Sequence, residues 1–281
     1  MRPADERRHE AVAGSADWQE SWSFELWTPD ASLGAFVTLT LVPALATAWY
    51  WVAVVGTGRT LVALRDHEVP LPGGSSLEVR APGLWSDITC ETPLDHWSVG
   101  LEALGVAYDD PLEAWGSERG DPTALGLDLE WEAEGPAGAP PDADASPGQK
   151  GYRQPCLVHG DVLVGAERLA VEAYGSRSHR WGERRWWDSS WADAWGRTDD
   201  GTTFASAAHD TAFSSDGLPR SAAVDVEGAS AELIPVTYAP VLVPVAHGRN
   251  SHLAGALCRF QTDDGRAGAG WAEWLRSAID R

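Results

Sequence analysis

Apolar and polar residues alternate along most of this chain with a period of two, the pattern of strands that bury one face and wet the other. The first clear case begins at Trp18: Trp18, Trp22, Phe24 and Leu26 share one parity, and Gln19, Ser21, Ser23 and Glu25 the other. Phe36 to Val42 and Trp49 to Val55 continue the series. The second of these is apolar on both parities, so it is expected to be covered on both faces. The cleanest alternation sets Leu125, Leu127, Leu129, Trp131 and Ala133 against Asp128, Glu130, Glu132 and Glu134; its acidic parity is expected to face water and to block edge pairing. A strand from Arg168 onward sends Leu169, Val171, Ala173, His179 and Trp181 to one face, with Ser178 and Arg180 on the other. Further strands are predicted at Tyr152 to Val158, Trp191 to Thr198, Thr202 to Ala208, Ala222 to Val226, Ala231 to Val236, Val241 to Val245 and Leu253 to Phe260. Asp199-Asp-Gly201 forms a hairpin signal between two of them, since Asp-Gly tolerates the positive φ of a primed turn. A helical register stays open for part of 96–108 and for Trp271 to Ile279.

Short strands at this spacing, without alternating helices, predict an all-β protein built of barrels or sandwiches. Residues 1–16 are polar and aperiodic, and are read as a disordered arm. The stretch from Gly135 to Gly148 carries four prolines and three glycines and cannot form the interior of a strand or helix. It predicts a linker at 135–149 between β units at 17–134 and 150–281, the alternative being a loop within one domain.

Composition narrows the partners. A formal charge of −21, from 42 acidic against 21 basic residues, repels phosphate backbones, so nucleic acid is not expected as a partner. The three cysteines are widely spaced and form no C-x-x-C, which predicts reduced, buried thiols in a cytoplasmic protein. The first residues have charge but no apolar core of a signal peptide, and no long uninterrupted apolar run occurs, so neither export nor a membrane span is expected. Sixteen tryptophans are a marked enrichment. They fit either aromatic-rich β cores or a cavity lined for a bulky apolar ligand.

The densest cluster of chemistry is Ser176 to Trp187, which packs His179, three tryptophans and four arginines into one short stretch. On an apolar parity His179 looks into a core or a cavity, and a core histidine satisfied by a hydrogen bond is the plain alternative. G-x-S-x-G, a phosphate-binding glycine loop with lysine, and H-E-x-x-H are all absent. The eight histidines show no metal-ligand spacing, so no metal and no cofactor are expected. A carbohydrate module would favour exposed aromatics beside Asp, Asn and Gln, and Asn250 is the single asparagine.

Two patches resemble a known family. Gly175-Ser-Arg-Ser-His-Arg-Trp-Gly-Glu-Arg-Arg-Trp186 is similar to the G-x-R-D-H-S-W-G-x-R-x-W of lipocalin-like proteins related to carotenoid 1,2-hydratase (hydroxyneurosporene synthase) and AttH, especially their actinobacterial members; Gly265 to Glu273 resembles their D-G-R-x-G-x-G-x-x-E. Ser178 stands where the family has Asp, and Arg180 where it has Ser. The resemblance implies two tandem lipocalin-like β-barrels packed together, with action on apolar polyene or terpenoid-like molecules.

Adding water across an isolated alkene demands an acid kept neutral until use, stabilisation of a carbocation, and a positioned water. Glu273, on the parity of Trp271, is the candidate acid and His179 the group that orients water or takes its proton. Trp181, Trp186 and Trp271, with Arg184 and Arg185, are expected to hold the hydrophobic small molecule. Pairing of Glu273 with Arg184 or Arg185 would instead make it a structural salt bridge. An enzyme of hydratase, isomerase or cyclase type, a non-catalytic binder of a hydrophobic ligand, and a carbohydrate-binding or structural module remain as the function classes.

Overall fold

A computed structural model describes residues 1–116, 120–141, 148–245 and 249–278, and these form two large antiparallel sheets with three short 3-10 turns. The first sheet contains β1 (Trp18–Trp27), β2 (Gly34–Val42), β3 (Thr47–Val55), β4 (Leu61–Pro70), β5 (Val79–Ala81), β6 (Leu84–Thr92), β7 (His96–Tyr108), β8 (Asp121–Ala133), β9 (Lys150–Val164) and β10 (Glu167–Glu183). Their order is β4-β3-β2-β1-β10-β9-β8-β7-β6-β5, and β4 also pairs with β7 through Leu61↔Tyr108 and Ala63↔Val106, which closes a barrel. The second sheet contains β11 (Trp191–Thr198), β12 (Thr203–Ala207), β13 (His209–Phe213), β14 (Pro219–Val226), β15 (Ala229–Pro244), β16 (Asn250–Thr262) and β17 (Ala267–Arg276), in the order β12-β11-β17-β16-β15-β14-β13. Among the described residues no pairing joins its edge strands, so it is a half-barrel.

Alternation decides which side of each strand meets which core. In β1, Trp22, Phe24 and Leu26 point into the barrel beside Val37, Leu39, Trp97 and Trp131. The opposite parity faces the second sheet, where Trp27 packs with Trp195, Leu257 and Trp271. β3 does the same with apolar residues on both sides. Tyr50, Val52 and Val54 enter the barrel, while Trp49 and Trp51 join Trp186, Leu253 and Leu275 in the layer between the sheets. The outer face of the second sheet has its own core around Val224, Leu233, Phe260 and Trp274.

The all-β reading holds, and several of its details are corrected. The division between the sheets does not fall at 135–149. β9 and β10 complete the first barrel, because β1 takes β10 as its second neighbour along its whole length, from Trp18↔Glu183 to Trp27↔Tyr174. β8 and β9, the strands on either side of the Pro/Gly-rich stretch, pair with each other in one barrel, so the stretch does not separate two β units; residues 142–147 lie outside the described residues. The sheets change over between Glu183 and Trp191. β8 does keep its acids on the solvent side, yet it lies between β7 and β9 and guards no edge. Residues 96–108 and 267–276 are strands. In the latter, Trp271 and Trp274 fall on opposite faces and fill different cores, which only a period of two allows; Ile279 lies outside the described residues. The stretch 1–16 is engaged with the barrel through Glu6, His9 and Arg8.

Two glycines of the Gly175 to Trp186 patch have steric reasons. A Cβ on Gly175 would come 2.4 Å from Val158 Cγ2 and 2.6 Å from the Glu25 carbonyl, next to the 3.1 Å hydrogen bond that Trp131 Nε1 donates to that carbonyl. Gly182 has φ +127 and would place a Cβ 2.5 Å from the Gly148 carbonyl. Gly175→Ala is therefore expected to lower stability by about 1–3 kcal/mol through overpacking. Gly138→Ala, where nothing lies within 4 Å, is expected to change little. Urea unfolding midpoints of the two variants check this, and equal midpoints would contradict the packing at Gly175.

Candidate functional site

The register of β1 against β10 builds the site. Trp22 lies opposite His179, Glu20 opposite Trp181 and Phe24 opposite Arg177. All six residues take the inward parity, which concentrates a histidine, a carboxyl, an arginine and aromatic rings towards one mouth of the barrel. His179 Nε2 is 2.8 Å from Glu20 Oε1, and both residues are fully buried. The imidazole stacks on Trp22, with centroids 4.5 Å apart and 17° between the planes.

Residues 1–16 close that mouth. His9 places Nδ1 2.8 Å from the same Glu20 oxygen, donates its backbone N–H to the Glu20 carboxyl at 3.0 Å, and stacks on Trp181 at 3.9 Å. Arg8 donates to the carbonyls of Pro72 and Gly74 at 2.7 and 2.9 Å, on the far side of the opening. Between them Glu6 drops inward. It accepts from Trp97 Nε1 at 2.7 Å, from the Tyr152 hydroxyl at 2.6 Å and from Arg177 Nη1 at 3.0 Å. Tyr152 also stands edge-on to His179, with centroids 6.0 Å apart, so the Glu6 cluster and the Glu20 pair adjoin.

Burial sets the protonation of these groups. Glu20 is pushed up to about 8 by loss of water, against the opposing hydrogen bond from the His9 N–H. His179 is pushed down to about 3 by burial first and by neighbouring His9 second. The pair therefore sits as a neutral carboxylic acid beside a neutral imidazole. A proton on Oε1 can be donated to His179 Nε2 while the same oxygen accepts from His9. The donor atoms of His9, Glu20 and His179 also lie within 4.8 Å of one another, so this set could hold a metal ion. The spacing of the histidines in sequence gave no hint of it, because three separate elements supply the ligands.

The expected site residues are dispersed. His179 and Trp181 are at the barrel mouth, with centroids 4.9 Å apart. Glu273 is on the other side of the β1–β10 wall, where it lines a cavity of about 30 Å³ between the sheets with Glu25, Arg153, Ser178, Arg180 and Arg184. Trp271 is in the layer between the sheets and donates Nε1 to the Leu26 carbonyl at 2.8 Å. Trp186 donates to Gln19 Oε1 at 2.9 Å and carries the Arg184 guanidinium over its ring at 3.8 Å. Arg185 pairs with Asp17 at 2.7 Å and with Asp188 at 3.4 Å on the surface. Among the described residues the three tryptophans lie apart: Trp181 is at the barrel mouth, whereas Trp186 and Trp271 are in the layer between the sheets. Ser178, at the position of the family's Asp, faces this interlayer and so cannot orient His179.

Glu20, Glu6, His9, Arg177 and Tyr152 were not anticipated. Glu20 and Arg177 had a readable signal, since each is a charged residue on the apolar parity of its strand. Glu6 and His9 had none, because the arm has no period. Between the sheets a further cleft of about 400 Å³ is walled by Trp27, Tyr174, Trp195 and Phe204. Arg153 also lines it, with its guanidinium over the Trp195 ring at 3.6 Å and paired with Glu25 at 2.9 Å. Glu25 is nevertheless pushed up to about 7, because complete burial outweighs the pairing.

Solved structures share this architecture. A protein from Nitrosomonas europaea assigned provisionally as AttH superposes with a TM-score of 0.59 at 15% identity, over 94% of this chain and 97% of its own. Kievitone hydratase from Nectria haematococca gives 0.57 at 12% identity, over 96% and 94%. CghA gives 0.56 at 13% identity, over 95% and 90%. At these identities the likeness is one of fold. No curated protein sequence matches the chain. No helix among the described residues is long and apolar enough to cross a membrane. A family model does match residues 2–208, which take in the arm, the whole first barrel and the first two strands of the second sheet. The chain belongs to the family described as Domain of unknown function (DUF7064).

Proposed function

We propose that this protein is an enzyme of hydratase, isomerase or cyclase type, acting on an apolar small molecule at the mouth of the first barrel. The observation that carries the reading is the Glu20–His179 pair: a buried carboxyl held protonated near neutral pH, bonded at 2.8 Å to an imidazole and bordered by the Trp22 and Trp181 rings. Glu20 delivers its proton to an unsaturated carbon, the tryptophan faces stabilise the cation by roughly 0.5–2 kcal/mol each, and His179 accepts the proton of the incoming water or of the product-forming C–H bond. The role expected of Glu273 passes to Glu20, since Glu20 shares a face of the wall with His179 and Glu273 does not. Glu25, also raised by burial, is on the opposite face of the wall from His179 and is bonded to Arg153. The resemblance of the Gly175 to Trp186 patch to carotenoid 1,2-hydratases, and the fold likeness to a protein known as kievitone hydratase, favour water addition within this range.

Turnover of a panel of apolar alkenes and phenolics tests the roles. Glu20→Gln is expected to cost about a hundredfold or more in rate with ligand affinity retained. In the unaltered protein the rate is expected to fall as pH rises through about 8, where Glu20 loses its proton. Glu273→Gln is expected to leave that alkaline limb in place. Saturable binding without turnover would identify a carrier instead, and a limb unchanged in Glu20→Gln would remove Glu20 as the acid.

Stability responds to the same protons. Glu20 is raised above its ordinary 4.5, so its contribution is complete below that pH and is lost as pH rises to about 8. His179 is lowered below its ordinary 6.5, so its contribution is complete above that pH and is lost as pH falls towards about 3. In Glu20→Gln the His179 dependence remains and the loss between 4.5 and 8 is expected to diminish. Urea denaturation of both proteins at pH values across this window reads the difference, and parallel profiles would contradict the assignment.

A further inference from the structure

The cluster around Glu6 is built like a carboxylate receptor whose occupant comes from the chain itself. Trp97 Nε1, the Tyr152 hydroxyl and the Arg177 guanidinium converge on one carboxylate from β7, β9 and β10, and Arg177 further reaches Gln154 Oε1. Arg177 contacts both carboxyl oxygens, at 3.0 Å through Nη1 to Oε2 and 3.2 Å through Nη2 to Oε1. Every donor is buried, as is Glu6. Arg177 Nε, equally buried, has no hydrogen-bond partner among the described residues, so Glu6 leaves part of the cation's donor capacity unused. These donors belong to the rigid barrel and are sequence-remote from Glu6. They would present a fixed, desolvated cation to any anion that entered in its place.

Apart from its polar contacts, the arm that carries Glu6 is little embedded. Of residues 1–16, Glu6 alone is buried, and its neighbours Met1 to Ala4, Arg7 and Glu10 to Gly14 are exposed. The arm is held by polar side chains, Glu6, Arg8 and His9, and contributes no residue to the apolar barrel core. A segment with few buried apolar contacts opens locally at far lower cost than the barrel does. Beneath it lie the Phe24, Trp97 and Trp131 rings, and beside it the Glu20–His179 pair. A cavity of about 480 Å³ already runs along the arm, lined by Asp5, His9, Lys150 and Trp181.

We propose that Arg177, Tyr152 and Trp97 form the head-group subsite of the ligand, that the ligand is an apolar molecule carrying a carboxylate, and that it enters by displacing Glu6 and the arm. This rests on the reading of the barrel mouth as the reaction site and adds the substrate class to it. The clamp holds the acid end against Arg177. Bonds a few atoms along the apolar body then lie beside Glu20 and His179, which selects the position that is protonated. Until such a ligand arrives, Glu6 satisfies the buried arginine and keeps water out of the barrel.

Dodecanoate below its micellar concentration, with dodecanol as the uncharged counterpart, tests this on the full chain. Dodecanoate is expected to bind saturably by calorimetry and to speed tryptic cleavage after Arg7 and Arg8 several-fold, with dodecanol doing neither. Glu6→Ala removes the internal competitor and is expected to tighten dodecanoate binding about tenfold. If that variant folds poorly, Glu6→Gln and the cleavage assay on the unaltered chain give the same decision. Equal effects of the acid and the alcohol, or no effect of dodecanoate on either binding or cleavage, would overturn the proposal and leave the arm a permanent plug. The two readings fail separately. Loss of the carboxylate preference with the Glu20-dependent pH limb intact points to a neutral substrate, whereas carboxylate binding without that limb points to a carrier of apolar acids.

Discussion

The pairing of β1 with β10 is the constraint on which the molecule depends. It joins the first strand of the barrel to its last, Trp18 to Glu183, and so closes the cylinder across a chain separation that no local signal spans. It also makes one wall serve two compartments. The inward parity carries Glu20, Trp22, Arg177 and His179, and the outward parity carries Glu25, Ser176, Ser178 and Arg180 towards the second sheet. Strand alternation thus separates two sets of polar residues that are neighbours in sequence, and each set meets partners from distant parts of the chain.

Three buried carboxyls show the ways in which such a fold accommodates charge. Glu6 is met by Arg177, and Glu25 by Arg153. Desolvation of an ion is tolerable when a guanidinium and additional donors surround it. Glu20 has imidazoles and a backbone N–H as its neighbours, so it keeps its proton. Glu25 is raised by burial as well, in spite of Arg153, so what sets Glu20 apart is its place on the inward face beside His179, with imidazoles rather than a guanidinium as its partners.

The tryptophans divide along the same wall. Trp22, Trp97 and Trp131 fill the barrel, Trp49, Trp51, Trp186, Trp195 and Trp271 fill the layer between the sheets, and Trp274 belongs to the outer core. Several bind their indole N–H to a specific acceptor: Trp131 to the Glu25 carbonyl, Trp271 to the Leu26 carbonyl and Trp97 to Glu6. Most of the enrichment is therefore packing between large flat surfaces that need area and an occasional polar tip. Among the described residues, Trp22 and Trp181 are the tryptophans whose rings pack against His179.

Alternation alone determined that this chain is all β, that β3 would be covered on both faces, and that His179 and Trp181 would look inward, because a strand's side-chain directions follow from its own period of two. The glycines of the Gly175 to Trp186 patch were visible as motif, and their contacts with Val158 and Gly148 give the reason for them. Tertiary structure decided where the sheets divide, since Pro/Gly-rich composition marks a loop equally well inside a hairpin or between domains. It also decided that Glu273 and His179 stand on opposite sides of one wall, and that Glu20 is the carboxyl at His179. Residue pairing across strands depends on register between segments far apart in the chain, and no single segment carries that information. The arm shows this most fully: a stretch without a period gives no structural signal, and the place of Glu6 is set by a buried arginine on β10 that needs an anion.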